Sequence, residues 1–78
     1  MTATSPRLRV DFQNADTAGR VRLTTVGTRE DVAAQRLSLE EGLVVTLVDD
    51  ELAAQAVVRW SDHEHVWVAE LTSKITDA

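Results

Sequence analysis

Leu43-Val44-Val45-Thr46-Leu47-Val48, Asp49-Asp50-Glu51, Leu52-Ala53-Ala54-Gln55-Ala56-Val57-Val58-Arg59-Trp60, Ser61-Asp62-His63-Glu64-His65, Val66-Trp67-Val68-Ala69-Glu70-Leu71 is the stretch that decides the fold. Its first run is nearly all apolar and rich in β-branched residues, which favours a strand covered on both faces. The acidic trio Asp49-Asp50-Glu51 reads as a hairpin turn. The next run alternates, with Ala54, Ala56, Val58 and Trp60 on one face and Ala53, Gln55, Val57 and Arg59 on the other. After the polar loop Ser61–His65, the last run again alternates, with Trp67, Ala69 and Leu71 opposed to Val66, Val68 and Glu70. Three strands joined by short polar loops form a meander.

Toward the N-terminus the same period of two returns. Leu8, Val10 and Phe12 face one way in Arg7–Gln13, and Val21 and Leu23 in Arg20–Thr24. Such half-apolar runs are strands with one buried face. Between them, residues 14–19 are turn formers without periodicity. Thr28 stands three residues before Asp31, close to a capping box, so a short helix of about two turns is expected to start there. Gly42 then turns the chain into the central meander. The expected fold is β-rich α+β. About five short strands form a small SH3-like barrel, or a strongly twisted antiparallel sheet, with one short helix.

At 78 residues the chain holds one domain, read as residues 7–71 between a polar lead at 1–6 and a tail at 72–78. A chain of this size hides only roughly 60–65% of its unfolded surface, so its core is small. It has no cysteine, which excludes disulfides, thiolate catalysis and cysteine zinc sites. No apolar run follows the polar start and none is long enough to span a bilayer, so the expectation is a cytoplasmic protein without a membrane partner. Seven of the eight basic residues are Arg, a bias of GC-rich bacterial genomes. The net charge of −5 is unevenly spread: residues 1–39 carry +2 and residues 40–78 carry −7.

The segments Val21–Val32, with Gly27-Thr28-Arg29-Glu30-Asp31, and Leu39–Asp50, with Leu39-Glu40-Glu41-Gly42-Leu43, resemble a group of short uncharacterised bacterial proteins. In that group a Gly-Thr-x-x-Asp helix start precedes a Leu-x-x-Gly-Leu turn and a β-meander ending in Trp-Val-Ala. The resemblance covers about two-thirds of the chain. It implies a fold and no activity or catalytic residue.

Few residues suggest chemistry. His63 and His65 are the only histidines, two apart and among acids, and form the weak candidate metal pair. A solvated hairpin loop is the simpler reading, and no metal or other cofactor is expected. Asp49-Asp50-Glu51 lacks the alternation and glycine of a calcium loop. Trp60 and Trp67 flank one hairpin and read as a cross-strand packing pair, with an exposed stacking platform as the other use. Arg7, Arg9, Arg20 and Arg22 share the polar faces of two strands and would make a basic ridge for nucleic acid if those strands were neighbours. Glycine-rich phosphate loops and nucleophile elbows are missing from the sequence.

The outer faces carry the main functional expectation. Val44, Val48, Val57, Val66 and Val68 share the parity opposite the tryptophans. A two-turn helix does not cover both faces of a sheet, so a loop or another chain must cover this one. The expectation is a non-catalytic protein-interaction module, self-associating as a homodimer. The alternative is a small-barrel nucleic-acid-associated regulator using the Arg stripe.

Overall fold

In the computed structural model, which describes residues 5–77, the ten-residue strand at Leu52–Ser61 is the spine of the sheet. In chain order the elements are β1 (Arg7–Arg9), β2 (Val21–Arg22), α1 (Val26–Ala34), β3 (Val44–Asp49), β4 (Leu52–Ser61), β5 (Val66–Leu71) and β6 (Thr76–Asp77). The strand order is β1-β3-β4-β5-β2, and β6 adds to β4. The sheet curls strongly into a half-barrel, a small β-rich α+β fold as the sequence alternation implies.

The meander is continuous in register. Val44 pairs with Val57 and Asp49 with Leu52; Ala56 pairs with Leu71 and Ser61 with Val66. The β3–β4 turn sets Asp50 in the left-handed region at φ 53°, a conformation that Asp tolerates better than most residues. Gly42, at φ 88°, makes the turn before β3, as its position before the apolar run suggests.

One face of the sheet holds the core. Leu8, Val10, Val21, Leu23, Val45, Leu47, Ala56, Val58 and Ala69 are buried together. Phe12, Val32, Leu37, Leu39, Leu43, Trp67 and Leu71 pack against them from the loops, the helix and the sheet ends. Each fully buried aliphatic side chain of this kind is worth about 1.5–3 kcal/mol of transfer free energy.

Four features depart from the sequence expectations. First, the sheet is mixed: β1 runs parallel to β3, with Leu8 opposite Leu47. A parallel partner needs a long crossover, and the chain between β1 and β3 supplies one that contains β2 and α1. Second, the two N-terminal strands are shorter than their alternation, at three and two residues. Third, α1 begins one turn early. Thr25 is the N-cap, its hydroxyl accepting from the Thr28 amide at 3.2 Å, so Thr28 lies inside the first turn. Among the elements α1 lies against β1 alone. Fourth, the chain beyond Leu71 returns to the sheet, with Thr76 pairing with Ala53 and Asp77 with Leu52.

Candidate functional site

The edges of the sheet come first, because an open edge is the default place for a partner strand to add. β1 is one edge, and α1 seals it with side chains. The Thr28 hydroxyl donates to the Arg9 carbonyl. The Arg9 amide donates to the Asp31 carboxylate at 2.8 Å, and Gln35 Nε2 donates to the Arg7 carbonyl at 2.9 Å. Thr28, Asp31 and Gln35 are spaced three and four residues apart, so they share one helical face. That face is a polar stripe in place of the apolar one a packed helix normally presents. The Arg9 guanidinium closes over it, with Nε and Nη2 on Asp31 at 3.0 Å and Nη2 on Glu30 at 3.2 Å. Hydrogen bonding from Arg9 holds the Asp31 carboxyl below its usual range, and the same bonds raise Arg9.

β2 is the other edge, and the loop before it folds back as its neighbour. Ala15 bridges to Val21, the Arg22 amide donates to the Asn14 carbonyl at 2.9 Å, and the Asp16 amide to the Arg20 carbonyl at 2.8 Å. Asp16 organises this loop. Its carboxylate is almost fully enclosed and accepts from the Ala18 and Arg20 amides at 2.9 and 2.8 Å and from Arg20 Nε at 2.9 Å. Burial pushes its carboxyl up, but the Arg20 and Ala18 donors outweigh that and leave it lowered.

Arg22 ties this loop to the β4–β5 hairpin. Its Nε and Nη2 grip Glu64 in a fork at 2.7 and 2.8 Å, while Nη1 donates to the Ala15 carbonyl at 2.9 Å and to Asn14 Oδ1 at 3.2 Å. The Arg22 hydrogen bonds lower the Glu64 carboxyl. A small cleft of about 80 Å³ remains here, lined by Asp16, Thr17, Ala18, Arg20, Ser61, His63 and Glu64. Its one buried hydroxyl, Ser61 Oγ, accepts from the Glu64 amide at 3.2 Å. His63 and His65 sit in the hairpin turn, exposed. His65 is a turn residue at φ 58°, its amide bonded to the Ser61 carbonyl at 2.7 Å. Among the described residues no group of three or more His, Asp or Glu is placed to hold a metal ion.

The Arg stripe does not assemble. Arg7 and Arg9 lie on β1 and Arg20 and Arg22 at β2, with β3, β4 and β5 between them. Arg9, Arg20 and Arg22 are each paired to a carboxylate of this chain. The two strands share a polar parity, but sequence parity does not say which strands are neighbours.

The valines lie together on the outer face of the sheet, as their parity implies, but they are not equally available. Val68 sits between Arg59 and Arg22 in register and is fully buried, so it offers nothing to a partner. Val66 is half-buried beside Ser61 at the end that the Asp16–Arg20 loop covers. The β3–β4 end is open. Val44 is 50% exposed and stands opposite the half-buried Val57. Val48 stands opposite Ala53, both half-buried. Between these two apolar rows, Gln55 Nε2 donates to Thr46 Oγ1 at 2.9 Å.

The tryptophans are the cross-strand pair that the sequence suggests. Trp60 and Trp67 are register partners with ring centroids 5.1 Å apart in an edge-to-face arrangement at 72°. Trp67 packs on the core, whereas Trp60 lies past its end and is 37% exposed. Its amide donates to Glu41, which also reaches Arg59 at 3.5 Å.

Fold and surface together define a small mixed half-barrel with both edge strands sealed and the β3–β4 end of the outer face left open. Comparison with known proteins finds no matching family model, no matching curated protein and no matching solved structure. No helix among the described residues is long and apolar enough to cross a membrane.

Proposed function

We propose that this protein is a small non-catalytic protein-interaction module that self-associates through the outer face of β3 and β4. The observation that carries the reading is the Val44–Val57 pair, an apolar row on a face left uncovered beside two sealed edges. Strand addition would have to displace side chains already bonded to the edge backbone. Packing on the open face displaces only water. The Arg22–Glu64 region is taken up by internal ion pairs, which favours this surface over a nucleic-acid ridge.

Sedimentation velocity of the purified chain and of Val44→Asp and Val57→Asp tests the reading. Val44 is the more exposed, so its substitution should leave circular dichroism unchanged while the associated species disappears. If both variants associate as the unaltered chain does, this face is not the contact surface.

A further inference from the structure

We infer that the edge of β4 at Leu52–Gln55 is a strand-addition site for an extended basic peptide, and that the segment Thr72–Asp77 is a displaceable cover over it. This site is separate from the outer face and does not depend on how that face is used.

β4 is longer than the strand beside it. β5 pairs with Ala56–Ser61, and the rest of that edge, Leu52–Gln55, is left to the chain after Leu71. That chain keeps step for one residue more, the Thr72 amide donating to the Gln55 carbonyl at 2.9 Å. It then loses step. Ala56 pairs with Leu71, so an unbroken ladder would set Ala53 opposite Lys74; Ala53 pairs with Thr76 instead. Two extra residues are therefore looped out opposite Ala54. The Gln55 amide donates to the Ser73 hydroxyl at 2.8 Å, where an unbroken strand would offer a carbonyl. A small open hollow of about 110 Å³ stands between the loop and β4, lined by Ala53, Ala54, Gln55, Ser73 and Thr76. Every residue from Thr72 to Asp77 is exposed, and β6 pairs through two residues only. The edges at β1 and β2 are held more firmly, by a buried hydroxyl and by ion-paired carboxylates.

The cover is thus an extended segment already docked on this edge, in a flawed register. A strand without the loop repairs the flaw. Outward backbone groups fall on every second residue of an antiparallel strand, so Ala53 faces the cover as Gln55 does. A regular strand exchanges both bonds with each and closes over the hollow, and such main-chain bonds supply the affinity in strand addition. Charge selects the peptide. From Glu40 to Leu71 the sequence sets Arg59 alone against eight acids. Asp49, Asp50 and Glu51 stand at the Leu52 end of this edge. Lys74 is the one basic residue the cover brings, and it leaves with the cover.

A short peptide alternating Lys and Val, titrated into the isotope-labelled chain and followed by NMR, tests this. Binding should shift the amide signals of Ala53, Ala54 and Gln55 and carry those of Thr72–Asp77 toward unfolded positions. Ser73→Ala removes the acceptor of the Gln55 amide, so the cover opens more often and the peptide should bind about tenfold more tightly. The same peptide with N-methylated amides should not bind, and one alternating Glu and Val should bind at least tenfold more weakly. Val44→Asp should bind the Lys–Val peptide as the unaltered chain does. The inference fails if Ser73→Ala, folded by circular dichroism, takes up no peptide at millimolar concentration, or if binding leaves the Thr72–Asp77 signals in place. Equal binding of the Glu–Val peptide overturns the basic partner. Loss of binding in Val44→Asp moves the peptide to the outer face. Association of Ser73→Ala without peptide, persisting when Val44→Asp is added, gives the edge to a second copy and overturns the peptide as its occupant.

Discussion

Thr28 stands where a neighbouring strand's N–H would otherwise be. It is completely buried, and its hydroxyl satisfies the Arg9 carbonyl on the open side of β1 while sharing a hydrogen bond with the Thr25 hydroxyl at 2.8 Å. Removing the hydroxyl without changing the side chain's shape isolates that role. Thr28→Val should lower stability by about 1–3 kcal/mol, because a buried carbonyl loses its donor, while Thr28→Ser should cost much less. Urea denaturation of the two variants measures the difference; equal midpoints would show that the Arg9 carbonyl finds another donor. The sequence marks Thr28 as special but for a different reason. Thr25 and Thr28 are both followed at three residues by a polar side chain, so the local pattern fits a cap at either. The choice is made by β1, whose carbonyl needs a donor, and that is a tertiary fact.

At the scale of elements, α1 is held by polar groups more than by apolar contact. Val32 is its one residue packed on the core, and Val26 in its first turn is 72% exposed. The helix therefore works chiefly as a cover for β1. Asp31→Ala should speed hydrogen exchange of the Arg9 amide by about tenfold, the loss of one charge-assisted hydrogen bond of about 1.5 kcal/mol. The Val10 amide, bonded to the Val48 carbonyl at 2.9 Å in the β1–β3 ladder, is the internal control and should not change. Unchanged exchange at Arg9 would mean that the helix does not protect this edge. The same contrast explains what was legible in the chain. Alternation in β4 and β5, and the turns between them, follow from local residue order, so the meander and the outward valines can be read directly. The neighbours of β1 and β2 depend on a long crossover that carries no periodic signal, so the Arg stripe looks continuous in sequence and is split in space. Val68 has the same outward parity as Val57 but is fully buried, standing in register between Arg59 and Arg22, and parity alone does not report what lies over a strand. β6 is two residues long, too short for any pattern.

Across the whole molecule, the parts outside the meander are fastened by carboxylates. Asp31 holds α1 to β1, Asp16 shapes the loop beside β2, and Glu64 joins that region to the β4–β5 hairpin through Arg22. All three carboxyls are lowered, Asp31 and Glu64 by hydrogen bonds from Arg9 and Arg22, and Asp16 by the Arg20 and Ala18 donors that outweigh its burial. The sign of the pH dependence follows. A carboxyl lowered in the folded state binds fewer protons there than in the unfolded chain, so stability rises with pH across the interval between the two values. The contribution is complete above the ordinary carboxylate range and is lost as pH falls through the lowered folded values. The urea midpoint should therefore be flat from neutral pH down to about pH 5 and should fall below about pH 4. General charge repulsion in acid produces a slope too, so Asp16→Asn and Asp31→Asn must be compared with a carboxylate that has no ion pair among the described residues, such as Asp62→Asn in the exposed hairpin turn. The first two should be less stable at neutral pH and show a shallower acid slope, since the proton-linked contribution is gone, while Asp62→Asn should parallel the unaltered chain. If all three variants share one slope, these internal ties do not set the acid stability, and repulsion alone accounts for it.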